Sequence, residues 1–519
     1  MNPMQDRRFY FGVDDAGDDP NCHFCPTVLQ RLGVQFLVHH DTPRGTLRQE
    51  IDRANRLMRQ CEDAGVALLY NTEAANWGRH VLDADSVDWA NGPDGCHYFR
   101  FRPEVLAAYT ASPAFAGVAF DEAEHMQINR NWVFEDGRKI DLAFFSETTG
   151  KGFQAAYNGF VAYASQVAAE LTRAGAAYVT TEHVWPALFH GFARAGFTPA
   201  YKQMKENWSN LWAAMAMGAA RQYGRELWSC LDLWLGGDYP GHSPEELAAN
   251  LRFAYLAGCD KAYVENLSYK GSLYDPASGR LSPYGEAVRS FTKEYLPAHP
   301  RSYTHRDYEP AVAILRFDDT DCGQHEGSFW ANTLLGAYDL HSGPETREWL
   351  RAWHTVTHGT VPPDGLSWNF TDTYAGVPHR SFAPANAPIV YDETATAADL
   401  QSVRLAFLCG LYLSEQTRAD VGRLVRENGL TAVTSVRFAP AAFAAQYNGG
   451  TQGFADGAGR WLLTDDMACG AVYDAVRPLL GRADEMRLRF AGQEVLLRLG
   501  ENGDAFTEQP PHDAGKAVM

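Results

Sequence analysis

Short apolar runs alternate with amphipathic stretches over the first 300 residues of the chain. The apolar runs are rich in β-branched and aromatic residues, which is typical of buried strands. The predicted strands lie at residues 9–15, 34–41, 66–73, 116–124, 176–185, 199–208, 226–234 and 261–269. Helical spacing predicts intervening helices at 46–65, 153–175 and 243–258. Eight strands that alternate with helices predict an α/β fold, a (β/α)8 TIM barrel over residues 1–300.

The predicted helix boundaries carry the residues that usually start and stop helices. The first two helices end at Gly65 and Gly175, and glycine is the commonest residue just past a helix end. The third begins with Ser243 as a cap and Pro244 at the first helical position. These local signals support the strand–helix alternation.

Composition argues against some classes of partner and indicates the cellular compartment. The chain has 519 residues, which predicts more than one domain, and a formal net charge of −19, which argues against a nucleic-acid or anionic-membrane partner. No apolar run is long enough for a membrane span, and the start of the chain lacks a signal-peptide pattern. The nine cysteines are scattered, which argues against a disulfide framework. The chain is therefore predicted to be cytoplasmic.

Acidic and histidine side chains gather at the predicted strand ends. They are Asp14, Asp15, His39, His40, Asp41, Glu73, Asp121, Glu122, Glu124, Glu182, His183, Glu206, Asp232 and Glu265. Active groups of a TIM barrel sit at the carboxyl ends of its strands. The sequence therefore predicts an acidic active site at one mouth of the barrel.

Aromatic side chains lie near the same strand ends, and they point to a sugar ligand. Aromatic rings stack on the C–H faces of sugars, while carboxylates accept hydrogen bonds from the hydroxyls. We expect a carbohydrate substrate. Its predicted binding residues are Asp15, His40, Glu73, Trp77, Glu124, Glu182, Trp185, Trp208, Asp232, Trp234 and Tyr269.

Three carboxylates are crowded into residues 121–124, directly after an apolar run. Crowded and partly buried carboxyls raise one another's pKa, so that one of them can stay protonated near neutral pH. Glycosidic cleavage needs such an acid, together with a second carboxylate that attacks the sugar or activates water. The crowding therefore predicts a glycoside hydrolase.

The barrel with an acid after strand four resembles the retaining glycoside hydrolases of the β-galactosidase type. Those enzymes place Asn-Glu after the fourth strand, where this chain has Asp121 and Glu122. The resemblance implies that Glu122 is the acid/base. It also implies a nucleophilic Glu on strand seven, where this chain offers only Asp232, with Glu206 and Glu265 on the flanking strands.

Three alternatives stay open. The Asp121-Glu122 pair also resembles that of substrate-assisted hexosaminidases, in which the Asp orients the substrate's acetamido group. A catalytically inert sugar-binding protein would keep the aromatic residues without the acid pair. A metal-dependent barrel hydrolase would use His39, His40 and the acids.

Residues 301–309 are predicted to link the barrel to a second α/β domain at 310–480. Within it, residues 399–436 follow a strand–helix–strand pattern that resembles the glutamine-amidotransferase-like domain of family 42 β-galactosidases. The resemblance implies a homo-oligomer, a dimer or trimer. The turn after the later strand lacks the cysteine of an active amidotransferase, and Cys409 is predicted to lie in the core, so this domain is predicted to be non-catalytic. Residues 481–519 are predicted to form a β-hairpin and tail.

No cofactor or metal is predicted. Cys22, His23 and Cys25 have the C-x-x-C spacing of a zinc site, but no second pair with suitable spacing follows. Phosphate-binding and dinucleotide-binding glycine motifs are missing from the sequence.

Overall fold

A computed structural model gives the structure of the chain. It describes residues 9–15, 25–41, 43, 45–73, 88–91, 97–121, 148–182, 188–203, 209–233, 242–319, 335, 340, 343–358, 388–482, 485–499 and 506–513. For residues 88–91, 97–100, 209–210, 269, 358, 498–499 and 506–513 the backbone alone is described.

Eight parallel strands close into a barrel, which confirms the predicted TIM-barrel fold. The strands are Tyr10–Asp14 (β1), Phe36–His40 (β2), Ala67–Asn71 (β3), Phe115–Asp121 (β4), Tyr178–Glu182 (β5), Thr198–Gln203 (β6), Trp228–Asp232 (β7) and Lys261–Glu265 (β8). Each strand pairs with the next one in the chain, and β8 pairs with β1 through Asp14 and Glu265.

A helix follows each barrel strand along the chain. The helices are Pro26–Leu32 (α1), Leu47–Ala64 (α2), Pro103–Thr110 (α3), Phe153–Ala174 (α4), Phe189–Ala195 (α5), Ser209–Gln222 (α6), Pro244–Leu256 (α7) and Pro283–Ser290 (α8). Two short hairpins accompany them at Asp88–Asn91 with His97–Arg100, and at Tyr274–Asp275 with Arg280–Leu281.

The helix boundaries follow the signals in the sequence. The Ser243 side chain accepts a hydrogen bond from the Glu246 amide, and the Glu246 side chain accepts one from the Ser243 amide, which makes a capping box at the start of α7. Gly65 ends α2 with a φ of 67°, a left-handed conformation that a residue with a Cβ adopts only with strain.

The barrel interior is a packed core closed at its amino end by an aromatic cage. The Lys261 side chain is only 1% exposed, and its Nζ lies 4.5 Å from the centre of the Tyr178 ring and 4.9 Å from that of Trp228. The Glu226 carboxylate lies 2.5 Å from the same nitrogen. Cation–π attraction and this ion pair satisfy the buried charge. The amino end of the barrel is therefore closed, and the polar side chains that a ligand could reach lie at its carboxyl end.

The second half of the chain contains a six-stranded sheet. Its strands are Val312–Arg316 (β9), Ile389–Asp392 (β10), Leu405–Cys409 (β11), Thr431–Thr434 (β12), Thr451–Asp456 (β13) and Gly459–Thr464 (β14). The order across the sheet is β10-β9-β11-β12-β14-β13, and only the last pair is antiparallel. The longer helices beside it are Glu348–His358 (α9) and Glu415–Asn428 (α10), with Ala441–Ala444 (α11) and Gly470–Val476 (α12).

The predicted strand, helix and strand of residues 399–436 are β11, α10 and β12. Cys409 is fully buried at the end of β11, as a core residue. The predicted C-terminal hairpin is present as Glu485–Phe490 (β15) and Gln493–Leu499 (β16), and the tail adds a third strand, Phe506–Asp513 (β17).

The chain divides into two compact units, residues 1–204 with 225–302 and 326–341, and residues 205–224 with 303–325 and 342–519. Helix α6, which follows β6 along the chain, belongs to the second unit. The reason is a set of polar contacts at its carboxyl end: the amide of Asp392 donates to the Gln222 side chain over 3.1 Å, and Arg221 Nε donates to the Tyr391 hydroxyl over 3.3 Å. In the part of the chain that the structure describes, every helix is too short or too polar to cross a membrane.

Candidate active site at the carboxyl end of the barrel

Every barrel strand places a polar side chain at its last inward position. Side chains alternate along a strand, so residues two positions apart share a face. Val38, Leu69, Ala119, Cys230 and Tyr263 belong to the interior core, and the residues two positions after them face the same space. Together with the matching positions of the other strands, these polar residues are Asp14, His40, Asn71, Asp121, Glu182, Lys202, Asp232 and Glu265.

The first part of this layer is the histidine cluster, formed by Asp14, His40 and Glu73. His40 Nε2 lies 2.7 Å from Asp14 Oδ2, and His40 Nδ1 lies 2.9 Å from Glu73 Oε2. Burial alone would lower the pKa of His40, but the two carboxylates outweigh it and hold that pKa well above the usual value. The ring is therefore an imidazolium between two carboxylates at neutral pH.

A second histidine repeats this pairing beside the cluster. His39 Nδ1 lies 2.7 Å from Asp15 Oδ2. Burial lowers the pKa of His39, but Asp15 and, to a smaller extent, Asp41 together raise it by more, so that the net shift is upward. Three predicted binding residues, Asp15, His40 and Glu73, therefore lie at the barrel mouth in fixed orientations.

The second part of the layer is the lysine cluster, formed by Lys202, Glu182, Asp232, Glu265 and Cys230. Lys202 Nζ lies 2.7 Å from Glu265 Oε2, 3.5 Å from Asp232 Oδ2 and 3.8 Å from Glu182 Oε1. Within the cluster the Glu265 side chain is the most exposed of the three carboxyls, at 16%, whereas the Glu182 side chain is 0% exposed. The Cys230 thiol donates to Glu182 over 3.3 Å.

Asn71 connects the fourth strand to the lysine cluster. Its side-chain amide donates to Asp121 Oδ2 over 2.9 Å and to Glu182 Oε2 over 3.4 Å. Asp121 is only 1% exposed. Asp121 is therefore held in place beneath the surface of the mouth.

Glu182 carries an unusual proton affinity. Burial raises its pKa to about 8; Lys202 opposes this shift, and Glu265 adds to it. The same carboxyls act in reverse on Lys202: burial would lower its pKa, but Glu265, Asp232 and Glu182 raise it well above the usual value. Both shifts favour an ammonium group on Lys202 and a proton on Glu182.

We predict that Glu182→Gln flattens the dependence of stability on pH. The folded pKa of about 8 exceeds the unfolded value of 4.5, so the stability that this group contributes is present below pH 4.5 and is lost as the pH rises to 8. The loss is roughly 3 kcal/mol at pH 7. The midpoint of thermal unfolding should therefore fall less between pH 5 and pH 8 in the variant than in the wild type.

The control is Glu104→Gln, which changes an exposed carboxyl in the first turn of α3. Comparing each protein with itself at two pH values removes any effect of hydrogen bonds lost with the substitution. Equal pH dependence in Glu182→Gln and the wild type would show that Glu182 is already ionised in the folded protein.

The described residues bring together much of the predicted site. Asp15, His40, Glu73, Asp121, Glu182, Asp232 and Glu265 all lie at the carboxyl ends of barrel strands or directly after them. Other predicted residues lie outside the described residues: Trp77, Glu122, Glu124, His183, Trp185, Glu206, Trp208 and Trp234. The backbone of Tyr269 follows β8 in a short helical turn, Tyr269–Gly271.

Sequence reasoning missed Lys202 and Asn71. The sixth strand, predicted at 199–208, is described over Thr198–Gln203, and Ala200 of this strand belongs to the interior core. Lys202 therefore takes the last inward position, two residues after Ala200 of the interior core. Strict alternation from Ala200 is the signal that could have found it.

Two groups of side chains have atoms close enough to hold a metal ion. Among the described residues, the ligand atoms lie within 4.8 Å of one another in each group, His40 with Glu73 and Asp121, and Glu182 with Cys230 and Glu265. In the first group both ring nitrogens of His40 already face carboxylates, and in the second the Lys202 ammonium lies against Glu265. Internal cations thus already balance these acids.

We predict that exhaustive chelation leaves the protein unchanged. After dialysis against a strong chelator, the midpoint of thermal unfolding and any catalytic activity should match those of the untreated protein. A metal that binds the folded state would raise this midpoint when it is added back. A rise with added zinc, manganese or magnesium, lost in His40→Ala, would contradict the prediction.

Comparison with known proteins gave likenesses to solved structures alone. No family model matches the chain, and no curated protein matches it. An exo-beta-1,4-mannosidase from Opitutaceae bacterium strain TAV5 is 11% identical with a TM-score of 0.44, over 96% of this chain and 91% of that one. An endoglucanase from Pseudomonas stutzeri is 10% identical with a TM-score of 0.33, over 54% and 93%.

A D-psicose 3-epimerase is also similar, at 12% identity and a TM-score of 0.29, over 56% of this chain and 98% of that one. Likenesses at these identities and TM-scores carry no argument about chemistry, since one barrel fold supports many reactions. The side chains at the barrel mouth are therefore what indicates the function.

Proposed function

We propose that this protein is a glycoside hydrolase that cleaves O-glycosidic bonds of an oligo- or polysaccharide by carboxylate catalysis with retention of configuration. The observation that carries the proposal is Glu265, a partly exposed carboxylate at the barrel mouth whose Oε2 lies 2.7 Å from the buried Lys202 ammonium. A nucleophilic carboxylate must be both ionised and accessible, and this arrangement supplies both conditions.

The acid/base role goes to Glu122. It follows Asp121, the last residue of β4, at the position that the resemblance to β-galactosidase-type enzymes indicates. Glu182 is the other candidate acid, because its oxygen lies within 4.8 Å of the Glu265 oxygen and its pKa is about 8. However, the Glu182 side chain is 0% exposed, so it has no access to a leaving-group oxygen.

The histidine cluster is the part of the site that suits sugar hydroxyls. The Glu73 side chain is 35% exposed and can accept hydrogen bonds, while His40 fixes its orientation. Glu73 lies across the barrel mouth from β6 and β7. The lysine cluster is therefore left to act on the glycosidic bond that is cleaved. A carbohydrate substrate is therefore proposed to bind with its hydroxyls towards Glu73 and its anomeric carbon towards Glu265.

The alternatives make different demands on the same residues. A substrate-assisted enzyme would need Asp121 to touch the acetamido group, and Asp121 is buried and accepts from Asn71. An inert sugar-binding protein would have no need for an ionised and accessible Glu265. The activities of the Glu265 and Glu206 variants distinguish both alternatives from the proposed mechanism.

The direct test is a panel of aryl glycosides and oligosaccharides, with release of the aryl group or of reducing sugar as the signal. The wild type should hydrolyse at least one member, and Glu265→Gln should not. Glu104→Gln, an exposed carboxyl in the first turn of α3, is the control and should keep full activity. Binding of the same sugars without hydrolysis by the wild type would favour the inert sugar-binding protein.

We also propose that the chain forms a homodimer or homotrimer through residues 310–480. The support is the resemblance of this region to a domain that mediates oligomerisation in family 42 enzymes. Light scattering at micromolar concentration should give a mass of two or three times 57.5 kDa. A strictly monomeric mass would contradict this part of the proposal and leave the catalytic part standing.

A further inference from the structure

We propose that Lys202 is the positioning residue of the site, which keeps Glu265 an aimed carboxylate and leaves the proton of the cluster on Glu182. This inference rests on the proposed function, since it assigns to Lys202 the ionisation of the proposed nucleophile. The protonation states of Glu182 and Glu265 that it requires can be measured without any substrate.

The geometry gives Lys202 unequal partners. Its Nζ is 2.7 Å from Glu265 and 3.8 Å from Glu182, so its charge stabilises an ionised Glu265 more than an ionised Glu182. Asp232 lies between these extremes, at 3.5 Å. The ammonium side chain is only 5% exposed, which keeps water from screening these differences.

Counting charges shows why one carboxyl keeps its proton. Three ionised carboxylates around one ammonium would leave two uncompensated negative charges in a largely buried space, and like charges at this range push one carboxyl towards its protonated form. Glu182 is that carboxyl, because it is the most buried and the farthest from Nζ.

Hydrogen-bond donors around the cluster act on Glu182 in the opposite sense, because they favour its ionised form, but burial and the charge of Glu265 still leave its pKa raised. On β3, Asn71 places its amide 3.4 Å from Glu182. On β8, the Tyr263 hydroxyl faces Glu182, and on β7 the Cys230 thiol lies 3.3 Å from Glu182 and 3.7 Å from Glu265. On β1, Asp14 pairs in register with Glu265, and the charge of Asp14 is balanced by the His40 imidazolium.

The role of Lys202 applies to both steps of the proposed reaction. A Glu265 oxygen forms the bond to the anomeric carbon, while the glycosidic C–O bond breaks and its electron pair goes to the leaving oxygen, which takes a proton from the acid/base. Water later breaks the ester to Glu265 and gives its proton back to the acid/base. Lys202 keeps its proton throughout, so it acts through Glu265 alone.

The kinetic test compares Lys202→Met, Lys202→Arg and Lys261→Met in the full chain. Without the ammonium, Glu265 gains a proton at higher pH, so the acidic limb of the kcat/KM profile should move up by about 1–3 pH units in Lys202→Met. Lys202→Arg restores the charge and should return the limb towards its wild-type position. Lys261→Met removes a buried lysine from the far end of the same barrel and should not move the limb.

The second test is a ¹³C NMR titration of the protein labelled at the glutamate side-chain carboxyls, with Glu265→Gln and Glu182→Gln used to assign the two signals. In the wild type, Glu182 should gain its proton near pH 8, and Glu265 should gain its proton only at a lower pH. In Lys202→Met the Glu265 transition should move upward by the same amount as the kinetic limb.

The outcomes separate the two proposals. If the protein hydrolyses no glycoside, the proposed function fails, but the titration still decides the role of Lys202. If Glu265 is protonated at neutral pH in the wild type, or titrates identically in Lys202→Met, the role of Lys202 is overturned even in an active enzyme. If Lys202→Met does not fold, the wild-type titration and the Lys202→Arg profile carry the test.

Discussion

Glu265→Ala should lose on the order of 10⁴-fold or more of kcat on a natural substrate, the scale seen when a catalytic nucleophile is removed. Added azide should then restore activity on aryl glycosides with good leaving groups. The product should be a glycosyl azide with configuration inverted relative to the substrate. The physical reason is that truncation opens a space beside Lys202 where a small anion can take the position of the carboxylate.

The surroundings of Glu265 explain why azide should rescue Glu265→Ala but not Glu265→Gln. Its carboxylate faces the mouth with its side chain 16% exposed, and Lys202 Nζ lies 2.7 Å away and remains in the variant. Removal of the Glu265 carboxylate takes away a negative charge that would repel azide, and the Lys202 ammonium, with Asp232 3.5 Å away, can then accept the small anion in its place. In Glu265→Gln the amide fills the same space, so azide should give no rescue.

Glu206→Ala is the competing variant, because Glu206 is the other late-barrel Glu that the sequence singled out. Only the true nucleophile should regain activity with azide. Rescue of Glu206→Ala in place of Glu265→Ala would identify Glu206 as the nucleophile. Full activity of both variants on a substrate with a 2-acetamido group would favour the substrate-assisted mechanism, with Asp121 as the second catalytic residue.

The barrel itself could be predicted because its strands are short apolar runs with few competing interpretations. Residues 66–73 and 226–234 are rich in buried apolar residues, and the strands Ala67–Asn71 and Trp228–Asp232 lie inside these ranges. Parallel strands buried on both faces produce such runs, and glycines and capping residues mark the helices between them.

The site could be predicted only in part, because Lys202, the residue at its centre, departs from the usual exposure of its residue type. A lysine is rarely buried, so Lys202 was assigned to a strand without a role. The burial of Lys202 follows from its place on β6, two residues after the core residue Ala200, on the face that points into the barrel. Strand ends are the least certain part of a sequence-based assignment, and a shift of one residue exchanges the two faces of a strand.

Sequence order also hides which acids share a site. Glu182 and Glu265 are 83 residues apart in the chain, yet Lys202 contacts both of them. Barrel closure brings β5, β6, β7 and β8 side by side, and this juxtaposition decides which carboxyl is ionised. The pattern of acids could indicate a carboxylate mouth, but the charge on each acid depends on distances that only the folded barrel sets.

Glu122→Gln should lose about 10²- to 10⁴-fold in kcat on a natural substrate, the usual contribution of general acid catalysis. The loss should shrink on aryl glycosides whose leaving groups need little protonation, and the variant should unfold at the same temperature as the wild type. The matched control is Glu182→Gln, a buried carboxyl of the same layer with no access to a leaving group. If Glu122 were the nucleophile, good leaving groups would not rescue the first step.

The dependence on the leaving group therefore distinguishes the roles more sharply than the size of the loss. A Brønsted plot of kcat/KM against the pKa of the leaving phenol should steepen in Glu122→Gln, because the variant can no longer supply the proton that poor leaving groups require. The same plot should keep its wild-type slope in Glu182→Gln. Near-wild-type activity of Glu122→Gln on a natural substrate would remove Glu122 from the mechanism. A steeper slope in Glu182→Gln would instead identify the protonated carboxyl beside Lys202 as the acid, brought into contact with substrate by movement of the mouth.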